Sequence, residues 1–260
     1  MNRKTSAPRL VQKYRTRPGR QSAYPCVAKP FFVEQEETFI ELVEDPKWLE
    51  DSESFLWQSE RDGWKHVYRV SRDGQTVMDL TPGDFDVTQL VSVDEDKGWL
   101  YFIASPDNVA QRYLHRSRLD GKGNVESSQM EQVTPKAHAG TNSYKMSADS
   151  TWAIHTVSSF MKPPVSTLIS LPDHKAQHVL EDNAELVEKI AQLSKGEVEF
   201  YSVEARDGLR LDGFMMRPPN FDKNKKYPII NYVYGEPASQ TAGDFYTTRN
   251  IWHLMMTQKG

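Results

Sequence analysis

Short apolar runs separated by turns rich in Asp, Ser and Gly recur from about residue 41 to residue 180. An Asp-bearing turn precedes an aromatic run three times: 51–53 before Phe55-Leu56-Trp57, 94–98 before Trp99-Leu100-Tyr101-Phe102-Ile103, and Asp149-Ser150 before Trp152-Ala153-Ile154. Trp57 and Tyr101 are 44 residues apart, and Tyr101 and Ile154 are 53 apart. A second run follows, His66-Val67-Tyr68-Arg69-Val70 leading into Asp73-Gly74, and Arg112-Tyr113-Leu114-His115-Arg116 leading into Asp120-Gly121. Asp-Gly pairs favour tight hairpins because Gly accepts positive φ without a Cβ clash. These two units close on similar tripeptides, Leu80-Thr81-Pro82 and Val133-Thr134-Pro135. Four short strands per roughly 45 residues is the period of a propeller blade. The count predicts about three blades. A blade buries its faces only against neighbours, so further blades are expected on the N-terminal side.

The pattern changes after Leu180. Residues 183–193 read as a short helix with Leu186, Val187, Ile190 and Leu193 on one face. Phe200-Tyr201-Ser202-Val203 and residues 209–216, joined by Arg206-Asp207-Gly208, read as an antiparallel hairpin. A polar loop follows over 218–226. Residues 227–234, with Ile229, Ile230, Tyr232 and Val233, fit a buried strand of a mixed or parallel sheet. Residues 247–259 have helical spacing in Ile251, Leu254 and Met255.

Composition narrows the function classes. Of 260 residues, 38% are hydrophobic, 26% charged and 11% aromatic, which is globular and suits strands. No run of 18 apolar residues is present, so no transmembrane segment is expected. Residues 1–33 carry eight Lys or Arg and no acid, which leaves 24 basic against 36 acidic residues in the rest. An acidic body argues against nucleic-acid binding. The basic start reads as a disordered tail, a misplaced start, a transit segment or a nucleic-acid arm. The single Cys26 excludes an intrachain disulfide and a cysteine-based zinc site. No apolar signal-peptide core follows Met1, and the compartment stays open.

Three separated segments carry a resemblance. They are Phe55-Leu56-Trp57-Gln58-Ser59-Glu60-Arg61-Asp62-Gly63-Trp64-Lys65-His66-Val67-Tyr68, then Val179-Leu180-Glu181-Asp182-Asn183, and then Asn220-Phe221-Asp222-Lys223 continuing through Lys226-Tyr227-Pro228 to Tyr232-Val233-Tyr234-Gly235-Glu236-Pro237. In order and spacing they resemble the dipeptidyl peptidase IV family of prolyl oligopeptidase-type serine peptidases, over about residues 44–260. The resemblance implies a mainly β fold: a partial β-propeller followed by the first strands and helix of an α/β-hydrolase domain. It divides the chain into a basic, disordered segment at 1–40, a partial propeller at 41–195 and the start of a peptidase domain at 196–260. It implies a serine-type enzyme that cleaves Xaa-Pro or Xaa-Ala dipeptides from peptide N-termini by acyl transfer. Peptides are then the substrates, no cofactor or metal is called for, and family members are often homodimers. Tyr234 takes the place of the family's oxyanion-donating tyrosine. Glu236 departs from the family's usual Gly, which would strain the turn if φ is positive there.

Other residues carry less. No Gly-x-Ser-x-Gly elbow occurs in the 260 residues, so no nucleophile or base is assigned and the chain alone is expected to be inactive. Glu36-Glu37 reads as a solvated pair and not as the family's amine-gripping glutamates. His174 and His178 are four apart, but Pro172 and Asp173 point to a turn instead of a metal-binding helix. Trp57, Trp64, Trp99 and Trp152 read as blade packing. Residues 59–62 read as a charged structural turn. Expressed alone, the apolar run at 227–234 is expected to cause poor solubility or self-association. The competing reading is a non-catalytic propeller-type interaction module or a gene remnant.

Overall fold

The computed structural model describes residues 30–35, 45–121, 130–193, 195–235 and 240–259. Most of the basic segment, Cys26, Glu36-Glu37 and Glu236 lie outside the described residues. Three four-stranded antiparallel meanders follow one another. The first holds β1 (Lys47–Trp48), β2 (Ser54–Ser59), β3 (His66–Ser71) and β4 (Val77–Asp79). The second holds β5 (Val87–Asp94), β6 (Trp99–Ala104), β7 (Tyr113–Arg118) and β8 (Met130–Gln132). The third holds β9 (Thr141–Met146), β10 (Trp152–Ser159), β11 (Lys162–Ser170) and β12 (Lys175–Glu181). These are the three blades of a partial β-propeller. Helix α1 (Ala184–Ala191), the hairpin β13 (Val198–Glu204) and β14 (Arg210–Met216), and helix α2 (Thr248–Thr257) complete the described chain. Among the described residues no helix is long and apolar enough to cross a membrane.

The second blade shows why these runs form blades. Along β6, Leu100, Phe102 and Ala104 face the first blade and pack with Leu56, Val67, Leu80 and Val87. The alternate residues Tyr101 and Ile103 face the third blade and pack with Leu114, Tyr144, Ala153 and Ile169. A strand buried on both faces needs a nearly continuous apolar run, and β6 has one. On its outer side the first blade is covered by Phe31 and Phe32, whose rings meet Phe55 and Trp57 edge-on. The third blade leaves its last strand exposed.

The repeated turns and tripeptides each do a defined job. Asp51, Asp94 and Asp149 use Oδ1 to accept backbone N–H groups of Glu53, Lys97 and Thr151 at 2.9, 3.0 and 3.2 Å. Each turn then needs one residue at positive φ, supplied by Ser52, Gly98 and Ser150. In the tripeptides, Thr81 Oγ1 accepts the N–H of Val67 at 2.9 Å and Thr134 Oγ1 accepts that of Leu114 at 2.8 Å. The threonine hydroxyl thus satisfies a strand donor where the following proline ends the blade.

Three expectations change. Residues 227–234 form no strand: Ile229 is 82% exposed and Val233 76%. A strand requires a neighbouring ladder, and no described strand pairs with this segment. Helix α1 buries only Ile190, while Val187 and Leu193 face outward. Trp57 is buried, but Trp64 sits exposed in the β2–β3 turn and Trp152 lies on the open face of β10, alternating with buried Ala153. Trp99 packs against the core between the second and third blades and also carries the guanidinium groups of Arg116 and Arg118 over its ring. The turn expected at 172–174 is present, with His174 at φ 53° and His178 exposed on β12.

Two histidines lie deep between the sheets. Burial pushes His115 down to about 4, and it stacks on Phe102 with neither ring nitrogen paired among the described residues. Burial, with the neighbouring His174 and His138, pushes His155 down to about 3; its Nε2 bonds Asn142 Oδ1 at 2.7 Å. Both stay neutral in the fold where the unfolded imidazole, near 6.5, takes up a proton. Their contribution is therefore complete above pH 6.5 and is lost as pH falls toward 4. At about 1.4 kcal/mol per tenfold, His115 alone contributes about 3 kcal/mol over that window. Urea midpoints measured at pH 7, 5.5 and 4.5 are expected to fall steadily, and His115→Phe is expected to flatten that decline.

Candidate active site

Tyr234 stands in an extended segment, 48% exposed, and its hydroxyl makes no hydrogen bond among the described residues. Two residues earlier, the Tyr232 ring lies 5.5 Å from the His253 ring of α2, and the Arg249 guanidinium sits 4.9 Å over it. Helix α2 starts at Thr247, whose hydroxyl accepts the Arg249 N–H. His253 in turn meets Phe214 of β14, and Phe214 packs 4.8 Å from Phe160 at the β10–β11 turn. An aromatic chain thus runs from the third blade through the hairpin and α2 to the Tyr234 segment. Burial, aided by Arg249, holds His253 below the ordinary imidazole range, and its ring nitrogens are buried and unpaired among the described residues.

Downstream, residues 240–250 are fixed to the blade edges by one acid. Asp244 accepts the Phe160 N–H at 2.7 Å through Oδ1 and the Gln111 amide at 2.8 Å through Oδ2. Its backbone adds two bonds, N–H to Ala110 O at 2.6 Å and O from the Thr141 hydroxyl at 3.0 Å. The Asn250 amide donates to Phe160 O at 2.8 Å and completes the dock. Beside it a cavity of about 180 Å³ lies between Ala110, Arg112 and Thr141 of the blades and Gln240, Ala242 and Phe245 of the loop. Burial holds Arg112 below the ordinary guanidinium range, and among the described residues it donates to neutral acceptors, including Gln240 Oε1 at 2.7 Å and Val109 O at 2.8 Å. Tyr234 does not line this cavity.

The sequence singled out Tyr234 and missed Asp244. A lone acid among small residues, Ala242-Gly243-Asp244, gives no sign of the four partners that converge on it. His174 pairs with Tyr144 at 2.8 Å and lies among His138 and His155, away from His178.

Meanders packed face to face, with a hairpin and helix docked on their edge, define a β-propeller protein with further structure attached to its rim. Residues 9–164 match the family model described as the dipeptidyl peptidase IV N-terminal region. This chain belongs to the dipeptidyl peptidase IV family. It is 32% identical over 180 residues to a probable dipeptidyl-aminopeptidase B of Neurospora crassa, covering 67% of the chain and 18% of that protein. It is 27% identical over 242 residues to a probable dipeptidyl-aminopeptidase B of Coccidioides posadasii, covering 88% and 25%. Among solved structures it is similar to dipeptidyl peptidase 4 of Porphyromonas gingivalis, with TM-score 0.72, 26% identity and coverage of 83% of this chain and 29% of that one. The chain thus spans about a fifth to a quarter of the length of these curated relatives.

Hydrogen bonds to a charged acceptor are worth about 1.5–3 kcal/mol each. Asp244→Ala is expected to weaken the dock by at least about 2 kcal/mol. Hydrogen exchange at residues 245–250 should speed up by ten-fold or more while β6 and β7 stay protected.

Proposed function

We propose that this chain is part of a serine-type dipeptidyl peptidase that removes Xaa-Pro or Xaa-Ala dipeptides from peptide N-termini by acyl transfer. The observation that carries the reading is the match to a dipeptidyl-aminopeptidase over 242 residues, a stretch too long to be confined to the three blades. On this reading residues 41–195 are the propeller part and 196–260 open an α/β-hydrolase domain, while the basic segment 1–40 lies mostly outside the described residues. Peptides are the substrates, and the assembled enzyme is a homodimer.

Tyr234 is the residue of this chain assigned to chemistry. A phenol donates a hydrogen bond. Aimed at the carbonyl oxygen of the scissile bond, it meets the negative charge that develops in the tetrahedral intermediate. In most α/β-hydrolases a backbone N–H after the same strand plays this part. The exposure of Tyr234 and the absence of a hydrogen-bond partner for its hydroxyl among the described residues are compatible with a substrate-facing role. The Ser, Asp and His of such a reaction lie outside these 260 residues, which contain no Gly-x-Ser-x-Gly.

In the full-length enzyme, Tyr234→Phe is expected to lower kcat on Gly-Pro-p-nitroanilide by about two orders of magnitude with little change in KM. The 260-residue chain alone is expected to give no turnover. Wild-type kcat in the variant would remove Tyr234 from the reaction. Full-length activity restricted to peptides with blocked N-termini would overturn the dipeptidyl assignment.

A further inference from the structure

In the first blade, far from Tyr234 in sequence, three potential ligands converge. His66 Nδ1 lies 2.8 Å from Asp62 Oδ2 and 3.6 Å from Asp79 Oδ2, and the three ligand atoms all lie within 4.8 Å of one another. We propose that Asp62, His66 and Asp79 form a binding site for a first-row divalent cation, Zn²⁺ foremost, that clips the first blade together.

The geometry suits the ion. Ligands about 2.0–2.2 Å from a tetrahedral Zn²⁺ stand about 3.4 Å from one another. The 3.6 Å contact already has that spacing, and the 2.8 Å contact needs to open by about half an ångström. The imidazole ligand favours Zn²⁺ over Mg²⁺ or Ca²⁺, which take oxygen alone. His66 is 1% exposed and packs edge-on against Phe85 at 5.5 Å, so its ring is held in place. Asp62 is the outer ligand, with its side chain 42% exposed, and it leaves an entry path from solvent.

Charge points the same way. Among the described residues neither Asp62 nor Asp79 pairs with a Lys or Arg. A divalent cation would neutralise both acids at once.

The independent observation is Tyr68. It is opposite Asp79 in the β3–β4 ladder and 4% exposed. Its hydroxyl is buried without completing a hydrogen bond among the described residues. The phenol faces the Asp62 carboxylate of the cluster. Drawing the carboxylates onto a cation would let it donate to a ligating oxygen, the usual support of a metal-bound carboxylate. The ion would tie the β2–β3 turn to the start of β3 and the end of β4, where Asp79 Oδ1 caps the Thr81 N–H at 2.8 Å. This is a structural site, and it stands or falls independently of the peptidase reading.

The 260-residue chain, stripped with chelator and dialysed, would be titrated with Zn²⁺ in a calorimeter and with Co²⁺ in a spectrometer. One equivalent of each is expected to bind. Co²⁺ should develop visible absorption of a four- or five-coordinate site, and Zn²⁺ should raise Tm. Asp62→Asn, at an exposed position that keeps a hydrogen bond to His66, is expected to fold with wild-type circular dichroism and to lose at least ten-fold in Zn²⁺ affinity. Absence of stoichiometric binding in the wild type would overturn the proposal. So would unchanged affinity in the Asp62→Asn, Asp79→Asn double variant, which would place the ion elsewhere.

Discussion

Everything in this chain rests on face-to-face packing of one sheet against the next. The second blade is sandwiched: alternate residues of β6 serve two different cores, one shared with each neighbour. Neither core belongs to a single blade, so no blade has an interior of its own. Polar side chains are buried where two sheets meet. That is where His115, His155 and Asn142 are found. The fold therefore gains its stability per interface and not per sheet, as expected for a repeat architecture.

Much of this was legible. The aromatic runs fixed the second strand of each blade, and the Asp-Gly pairs marked the hairpins that follow β3 and β7. The Leu-Thr-Pro and Val-Thr-Pro tripeptides proved to be a hydrogen-bond device, with Thr81 and Thr134 closing the ladder at the same place. The first and last strands were harder to read. Those of the first blade are two and three residues long, too short for alternation to show. The apolar spacing of α1 suggested a buried face, but spacing describes only the helix. Whether a face is covered depends on what packs there, and only Ile190 finds a partner surface.

The site divides along the same line. A tyrosine closing an apolar run is a local pattern, and Tyr234 could be named from it together with the family's motif. Asp244 could not. Its importance lies in where four unrelated stretches of chain come together, and sequence carries no local trace of such convergence. Asp62 reads only as the end of a charged turn at 59–62, and His66 only as the start of the strand that follows. Asp79, thirteen residues further on and across a hairpin, enters the cluster through the register of β3 with β4.

The Asp244 carboxylate holds one oxygen on the second blade and the other on the third. Its two bonds can both be short at only one angle between those sheets. Any twisting of the propeller would therefore have to break one of them or drag the loop along. The loop around Asp244 is geared to the blades beneath it, and strain in the propeller would pass through that loop and Asn250 into α2.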